Sequence, residues 1–402
     1  MRYYYEATDQ KGELTTGEYD ADKEVDVSEY LQKRKLIPVM IRPQTKSVLS
    51  RDFALFEKIT PMDRITLVRN LAATTKAGLS IIESLDILAK DATKPLYKKI
   101  LIQTRNNIQN GQPLWQSFQN YKQYFPPFFI GMVRAAESSG KLDTTLDELT
   151  QYLNREYSLV KRVKSAMAYP LILLVASFVV TFVLLGFVMP AMEKTFERAH
   201  IVLPIYTRVM LAIGHAVSYN YFLDAFIIAL IIVGVVAVRR SPSAQAMLTR
   251  IYFKIPILSD VLKKIVLVKF SRTMGSLLSS GALITDALHL AADSVGNEIY
   301  KRAILKVAVD VGRGVALSKA LSSHDKLFPN FLLSLVLVGE KTGTLEKILK
   351  TFADFYDEEV DYNLRTLTTF MEPALLLVMG LIIGTIAISI ILPIYQYVGS
   401  FQ

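Results

Sequence analysis

The sequence predicts a mainly α polytopic membrane protein with two homologous cytoplasmic helical bundles, three transmembrane helices and a small N-terminal α/β module. Three observations lead there. Of the 402 residues 51% are hydrophobic, yet 21% are charged, so apolar spans must be joined to water-facing modules. Uncharged runs fill Leu171–Met189 and Ala374–Leu392, each long enough as a helix to cross a hydrocarbon layer of roughly 30 Å. The chain also repeats itself. Gly78 pairs with Gly281 and every later match keeps that same offset without a gap.

Residues 1–43 read as the small module. "RYYYEAT" and "GELTTGEYDA" form two short strands around "DQKG", "VDVSEYLQKRKL" is an amphipathic helix, and "IPVMIRP" adds a strand. The opening decapeptide lacks the apolar core of a cleavable signal, so insertion falls to internal helices. Residues 44–59, with Ser47, Ser50 and mixed charges, read as a linker.

The first bundle, residues 60–168, opens on Thr60-Pro61, an N-cap followed by proline at the first helical position. Gly78 suits a helix stop, and "SIIE" at 80–83 makes a capping box. Leu283 replaces Ser80 in the second copy, so that cap is not shared. Gly111 pairs with Gly314, "FPPF" (Phe125, Pro126) with "FPNF" (Phe328, Pro329), and Glu137, Gly140 and Leu142 with Glu340, Gly343 and Leu345. The match runs on through Glu156/Glu359 and Pro170/Pro373 to Pro190/Pro393. In "ESSGKL" and "EKTGTL" the glycine ends one helix in the left-handed conformation and the leucine begins the next.

That next helix is long. Leu142, Leu146, Leu149, Leu153, Val160, Val163 and Met167 keep one face, as do Leu345, Leu349, Phe352, Tyr356, Leu364 and Leu367 in the copy. From Asp143 to Ala168 such a stalk would measure about 39 Å, at about 1.5 Å per residue. Proline disfavours helix in the residue before it, so Tyr169 and Glu372 are expected kinks.

The spans follow as residues 169–190, 220–238 and 372–394, with an outer loop at 191–219, the second bundle at 239–371 and a tail at 395–402. The middle one is short: Ala225–Val238 is uncharged, and it spans only with Asp224 near water. Arg155, Lys161, Arg162 and Lys164 precede the first span, Arg239 and Arg240 follow the second, and Arg365 precedes the third. The positive-inside rule puts the N-terminus in the cytoplasm and the C-terminus outside, against the weaker pull of Lys194, Arg198 and Arg208. Membrane flanks thus account for the net charge of +9, and no nucleic-acid partner is expected.

Enzyme signatures fail. Cysteine is absent, so no thiolate nucleophile or thiolate metal site exists. "GELTTGEY" has P-loop glycine spacing, but Glu18 and Tyr19 replace the lysine and hydroxyl residue. "GRG" at 312–314 is too short for a dinucleotide fingerprint, and His200, His215, His289 and His324 form no close ligand pair. "DEEVD" at 357–361 reads as a solvated helix face before a cation site. The uncharged runs of the first and third spans, Leu171–Met189 and Ala374–Leu392, carry no Asp, Glu, Lys, Arg or His, one of which a proton or ion pathway would need. Gly380 and Gly384 permit close helix packing. A structural or transmission protein remains, with no catalytic, cofactor-binding or metal residue expected.

The N-terminal module, the doubled "FP.F" to "E..G.L" domain and spans ending in proline together resemble the inner-membrane platform proteins of type IV pilus and type II secretion machines, the PilC/GspF family. The resemblance implies a non-catalytic inner-membrane homo-oligomer without cofactor. Its implied partners are a hexameric assembly ATPase, pilin or pseudopilin subunits and inner-membrane alignment proteins. The function so implied is type IV pilus biogenesis, coupling the ATPase to insertion or removal of pilin; type II secretion is the alternative, and a transporter or a stand-alone membrane adaptor is the rival class.

Overall fold

The computed structural model describes residues 2–8, 14–21, 24–34, 36–43, 58–198, 203–218, 234 and 256–399. The expected middle span apart from Gly234, the linker apart from its last two residues, and His200 lie outside the described residues. The chain clusters into two units: residues 1–59 with 88–102, and residues 60–87 with 103–402.

In the first unit, β1 (Arg2–Thr8) pairs antiparallel with both β2 (Leu14–Asp20) and β3 (Ile37–Pro43), giving the order β2-β1-β3. Helix α1 (Glu24–Lys33) buries Val27 and Leu31 against Tyr5 and Ala7. Tyr5 and Ala7 are two apart and so share one sheet face, as the period of a strand demands. Tyr19 stacks on Tyr30 with centroids 3.9 Å apart.

The repeat unit is helical throughout. The first copy runs α2 (Pro61–Lys76), α3 (Ile81–Asp91), α4 (Pro95–Gln109), α5 (Leu114–Gln119), α6 (Pro127–Ser139) and α7 (Leu142–Val183). A π-helical turn (Leu184–Val188) follows, then α8 (Met189–Arg198) and α9 (Ile205–Ser218). The second copy runs α10 (Pro256–Ser279), α11 (Ile284–Ser294), α12 (Glu298–Gly312), α13 (Leu317–Ser322), α14 (Asn330–Thr342) and α15 (Leu345–Gly399). From α3 and α11 to α6 and α14, both ends of each helix sit 203 residues from those of its counterpart. Local sequence sets the boundaries. Thr60 caps α2 in a reciprocal box with Asp63, and Ser80 does the same for α3 with Glu83. Leu283 offers α11 no side-chain cap.

Phe118, Phe125 and Phe129 pack with centroids 4.7–5.2 Å apart at the centre of the first bundle, and Phe328 meets Phe270 and Tyr300 in the second. Each aromatic of this kind removes a large apolar area from water.

Two helical runs, Leu142–Arg198 and Leu345–Tyr395, are long and apolar enough to cross a membrane, and their apolar windows are almost wholly uncovered. Neither breaks at proline: α7 continues through Pro170, and α15 through Pro373 and Pro393. The expected kinks therefore give no helix end at Tyr169 or Glu372. Pro190 lies in α8, so helix extends into the expected outer loop, and α9 makes more of that loop helical. The stalk stripe also turns as it leaves its bundle. Leu146, Leu149 and Leu153 are buried, whereas Val160 and Met167 are exposed and Leu159 faces inward instead.

Candidate functional site

The shared corner of each bundle is built by its glutamate. Helix α5 starts after Pro113, whose side chain cannot cap, so its first amides need an acceptor. Glu137 supplies it from 23 residues downstream, taking Leu114 N–H at 2.9 Å and Trp115 N–H at 3.2 Å. Glu340 repeats this on Leu317 and Ser318, accepting the Ser318 N–H at 3.1 Å and its hydroxyl. A carboxylate at a helix N-terminus is favoured by charge-assisted bonds and by the helix dipole.

Gly140 and Gly343 end α6 and α14 at φ +69°, and Lys141 N–H and Thr344 N–H close back onto Ala136 and Gly339 at 3.0 Å. Nothing lies near a Cβ at either glycine, so the left-handed backbone alone selects the residue. Leu142 and Leu345 then start the stalks. Gly78, Gly111, Gly281 and Gly314 also have positive φ; Phe125 and Phe328 are fully buried; Pro126 and Pro329 are the N-caps of α6 and α14.

Between the copies runs a seam that the chain order conceals. Stalk α7 packs against α15 and α10, and α6 against α10 and α11. Leu159 sits among Val261, Val268, Val360 and Leu364. Beside this apolar strip Arg162 meets Asp357 at 2.6 Å and Asp361 at 2.8 Å, Arg155 meets Asp354, and Glu148 meets Lys350 at 2.9 Å. Arg272, almost fully buried, reaches Asp357 at 3.1 Å. Burial pulls its guanidinium pKa down, and Asp357 opposes that pull. The Tyr152 hydroxyl bonds Thr273 at 2.9 Å, which bonds Ser294 at 3.0 Å; burial, with the nearby Glu156 charge, pushes the Tyr152 pKa up. Glu359 instead pairs within its own copy with Lys264 at 3.0 Å.

The "DEEVD" run is thus only partly a solvated face: Asp357 and Asp361 are ion-pair partners for arginines on other helices, while Glu358 stays exposed. Among the described residues no group of His, Asp and Glu is arranged to hold a metal. A cavity of about 340 Å³ opens on the seam beside Phe128, Leu153, Tyr157 and Leu290. Arg64, Lys164, Glu156 and Asp293 also line it, two charges of each sign, so these four side chains carry no net charge.

The seam continues to the spans. Tyr169 donates to Glu372 at 3.0 Å, a contact between equivalent positions of the two copies. Further along, α9 lies on the π-helical turn, where a Cβ on Gly214 would come within 2.5 Å of the Leu185 carbonyl. Met189, Leu211 and Ile386 form the small apolar core there. Pro393 has no N–H to give the carbonyl of Ser389, four residues back. The buried Thr207 hydroxyl donates to that carbonyl at 3.0 Å. Gly380 and Gly384 face open space, with no neighbour within 4 Å of a Cβ.

The comparisons with known proteins follow this architecture. Type II secretion system (T2SS), protein F matches twice, at residues 67–190 and 270–393, and the two starts differ by the repeat offset. Type II secretion system protein F, N-terminal domain matches residues 1–42. A "Type IV pilus assembly protein PilC" of Myxococcus xanthus is 31% identical, covering 100% of this chain and 96% of its own length. The Thermus thermophilus protein of the same name is 29% identical over 100% and 99% of the two chains. A "Type II secretion system protein F" of Xanthomonas campestris is 27% identical over 99% of both. With two copies of the repeated domain and the N-terminal domain in register, the chain belongs to the type II secretion system protein F family.

Proposed function

We propose that the chain is a non-catalytic inner-membrane platform protein for type IV pilus biogenesis, coupling a cytoplasmic assembly ATPase to insertion or removal of pilin subunits. Hexameric ATPase, pilin and inner-membrane alignment proteins are its partners, and it works as a homo-oligomer. The 1–43 module and both bundles, residues 60–168 and 239–371, lie in the cytoplasm, and the C-terminus lies outside. The middle span, residues 220–238, returns the chain so that the second bundle folds on the same side. Glu137, Gly140 and Leu142, with Glu340, Gly343 and Leu345, hold the corner from which each stalk starts.

One observation carries this reading: each bundle passes into an apolar span through a single unbroken helix. A helix is stiff along its axis, so tilt or rotation imposed on a bundle moves its span as a lever. The pilus reading stands first because the pilus-named relative reaches 31% identity and the secretion-named one 27%. Pseudopilus assembly in type II secretion is the second reading.

Deletion of the chain in its host should abolish surface fibres, and the assembly ATPase should co-purify with the full-length protein. Lys161→Pro with Lys164→Pro, on the exposed side of the stalk, should stop fibre formation while leaving co-purification intact. Fibres and secretion that survive deletion overturn the platform reading. Fibres that survive the folded double-proline variant overturn the lever.

A further inference from the structure

The two copies expose the same face to very different degrees. In the first, Phe128, Tyr152 and Leu159 are buried at 5%, 4% and 2% exposure. Gly131 on the same face lies so close to Leu290 that a Cβ would come within 2.3 Å of it. In the second copy the equivalent positions are Phe331, Phe355 and Tyr362, at 49%, 49% and 68% exposure, with an exposed Ser334 for Gly131. Phe331 and Phe355 meet edge to face at 5.6 Å and carry a shared aromatic surface into solvent. Contiguous exposed aromatics of this kind mark an interaction surface.

What covers the first face is α10 together with α11. Their counterparts α2 and α3 hold the same side uncovered: Met62, Arg69, Ala73 and Ile87 are exposed where the second copy has Ile265, Arg272, Ser276 and Leu290. The chain therefore carries two plugs and two sockets and joins only one pair. The free plug is on the first copy and the free socket on the second.

We propose that the Phe331–Phe355–Tyr362 face binds the α2–α3 face of a second copy of this chain, repeating between chains the contact that its own bundles make. Charge favours the repeat. Within the chain Arg155 and Arg272 are like charges that share Asp354. Between chains Glu358 takes the place of Arg155 and Arg69 that of Arg272, so unlike charges meet. Arg365 replaces Arg162 and finds Asn154 and Ser158 where Arg162 has two aspartates. The intermolecular seam is thus held by its aromatics and Glu358, and is weaker than the internal one toward the spans. The contact is heterologous, because each added chain leaves one plug and one socket free, and it closes as a ring or grows as a row. It deepens the homo-oligomer of the platform reading but rests on the internal repeat, so its failure leaves ATPase coupling untouched.

The test uses the absence of native cysteine. Ile87→Cys and Ser334→Cys sit at the exposed equivalents of the Leu290–Gly131 contact. The full-length chain carrying both, in nanodiscs, is treated with oxidant or a short bis-maleimide. The expected result is a series of covalent multimers, with no product from either single variant alone and dimers only from a mixture of the two. Glu358→Arg should slow the link about tenfold, and Arg69→Glu added to it should restore the rate. A Ser334→Cys chain that links to itself overturns the proposal, because the face would then be isologous. So does a link within one chain, a Ser334→Cys adduct mapped to residues 1–43, or an oligomer that forms with no link. A charge swap that fails to restore the rate overturns the facing of Glu358 and Arg69.

Discussion

Helices α2 and α10 are one element in two settings. From 266 to 277 α10 buries every residue except Lys269, which is half-buried. Over the equivalent stretch, 63–74, α2 buries Ile65, Leu67, Val68, Leu71 and Ala72 and leaves Arg69 and Ala73 in water. Both pack on the stalk of their own copy, but only α10 also lies against the stalk of the other. Duplication kept the inner face of this helix in both copies. It gave the outer face a partner in one copy only, and there Arg272 gained a buried carboxylate where Arg69 has none.

Arg272→Ala should break the comparison most visibly. It removes one of the two arginines on Asp357, leaving Arg162 in place, and the lost charged hydrogen bond costs about 1.5–3 kcal/mol. Arg69→Ala at the equivalent exposed site should stay within about 0.5 kcal/mol. Denaturant unfolding of the full chain in detergent checks both, and equal losses would mean that α10 is not held from its second side.

Gly131→Ala should come next. It forces the end of the Leu290 side chain aside, at about 1–3 kcal/mol if that side chain cannot turn away. It also recovers about 1 kcal/mol of helix propensity, so the net loss is at most about 2 kcal/mol. Ser334→Ala, its counterpart in open solvent, should be silent in the isolated chain. If both are silent by thermal unfolding, the α6–α11 approach is looser than described.

The smallest effect sharpens the comparison at the caps. Ser80→Ala should lower Tm by about 2–4 °C, and Leu283→Ser, which places a capping hydroxyl three residues before Asp286, should raise it by a similar amount. The Glu83 carboxylate is held below its ordinary pKa by the Ser80 backbone N–H and then by the Ser80 hydroxyl. A lowered native pKa means that the contribution is complete above the unfolded value of about 4.3 and is lost as pH falls through the native one. Alanine keeps the backbone N–H, so the gap between wild type and Ser80→Ala should narrow, by the share of the Ser80 hydroxyl alone, on acidification below about pH 4.3.

What could be read from the chain alone was whatever a backbone demands of one residue. Gly140 and Gly343 must be glycine for their φ, Thr60 and Ser80 must cap, and the uncharged runs must lie in helices; each of these is local and leaves a local mark. The seam leaves none. Asp357 and Asp361 on α15 have the spacing of any solvated helix face, because a helical charge pattern cannot say whether water or an arginine stands opposite. Val160 and Met167 misled for a related reason, since periodicity marks a face without saying where along a long helix that face stops being covered. Glu137 was visible as a repeated letter, but its task spans 23 residues of sequence. One signal did exist. Where the copies differ in kind, as at Tyr152 and Phe355 or Arg155 and Glu358, their surroundings differ too.

The bond from Thr207 to the Ser389 carbonyl has a mechanical consequence. Thr207 and Ser389 are both buried, so depriving that acceptor of its donor carries the cost of an unpaired buried carbonyl. Helix α9 thus cannot swing off α15 without leaving that oxygen bare, and whatever shifts the last turns of α15 must drag α9 and the π-helical turn along. A proline that would ordinarily loosen a helix has here become a tether for its neighbour.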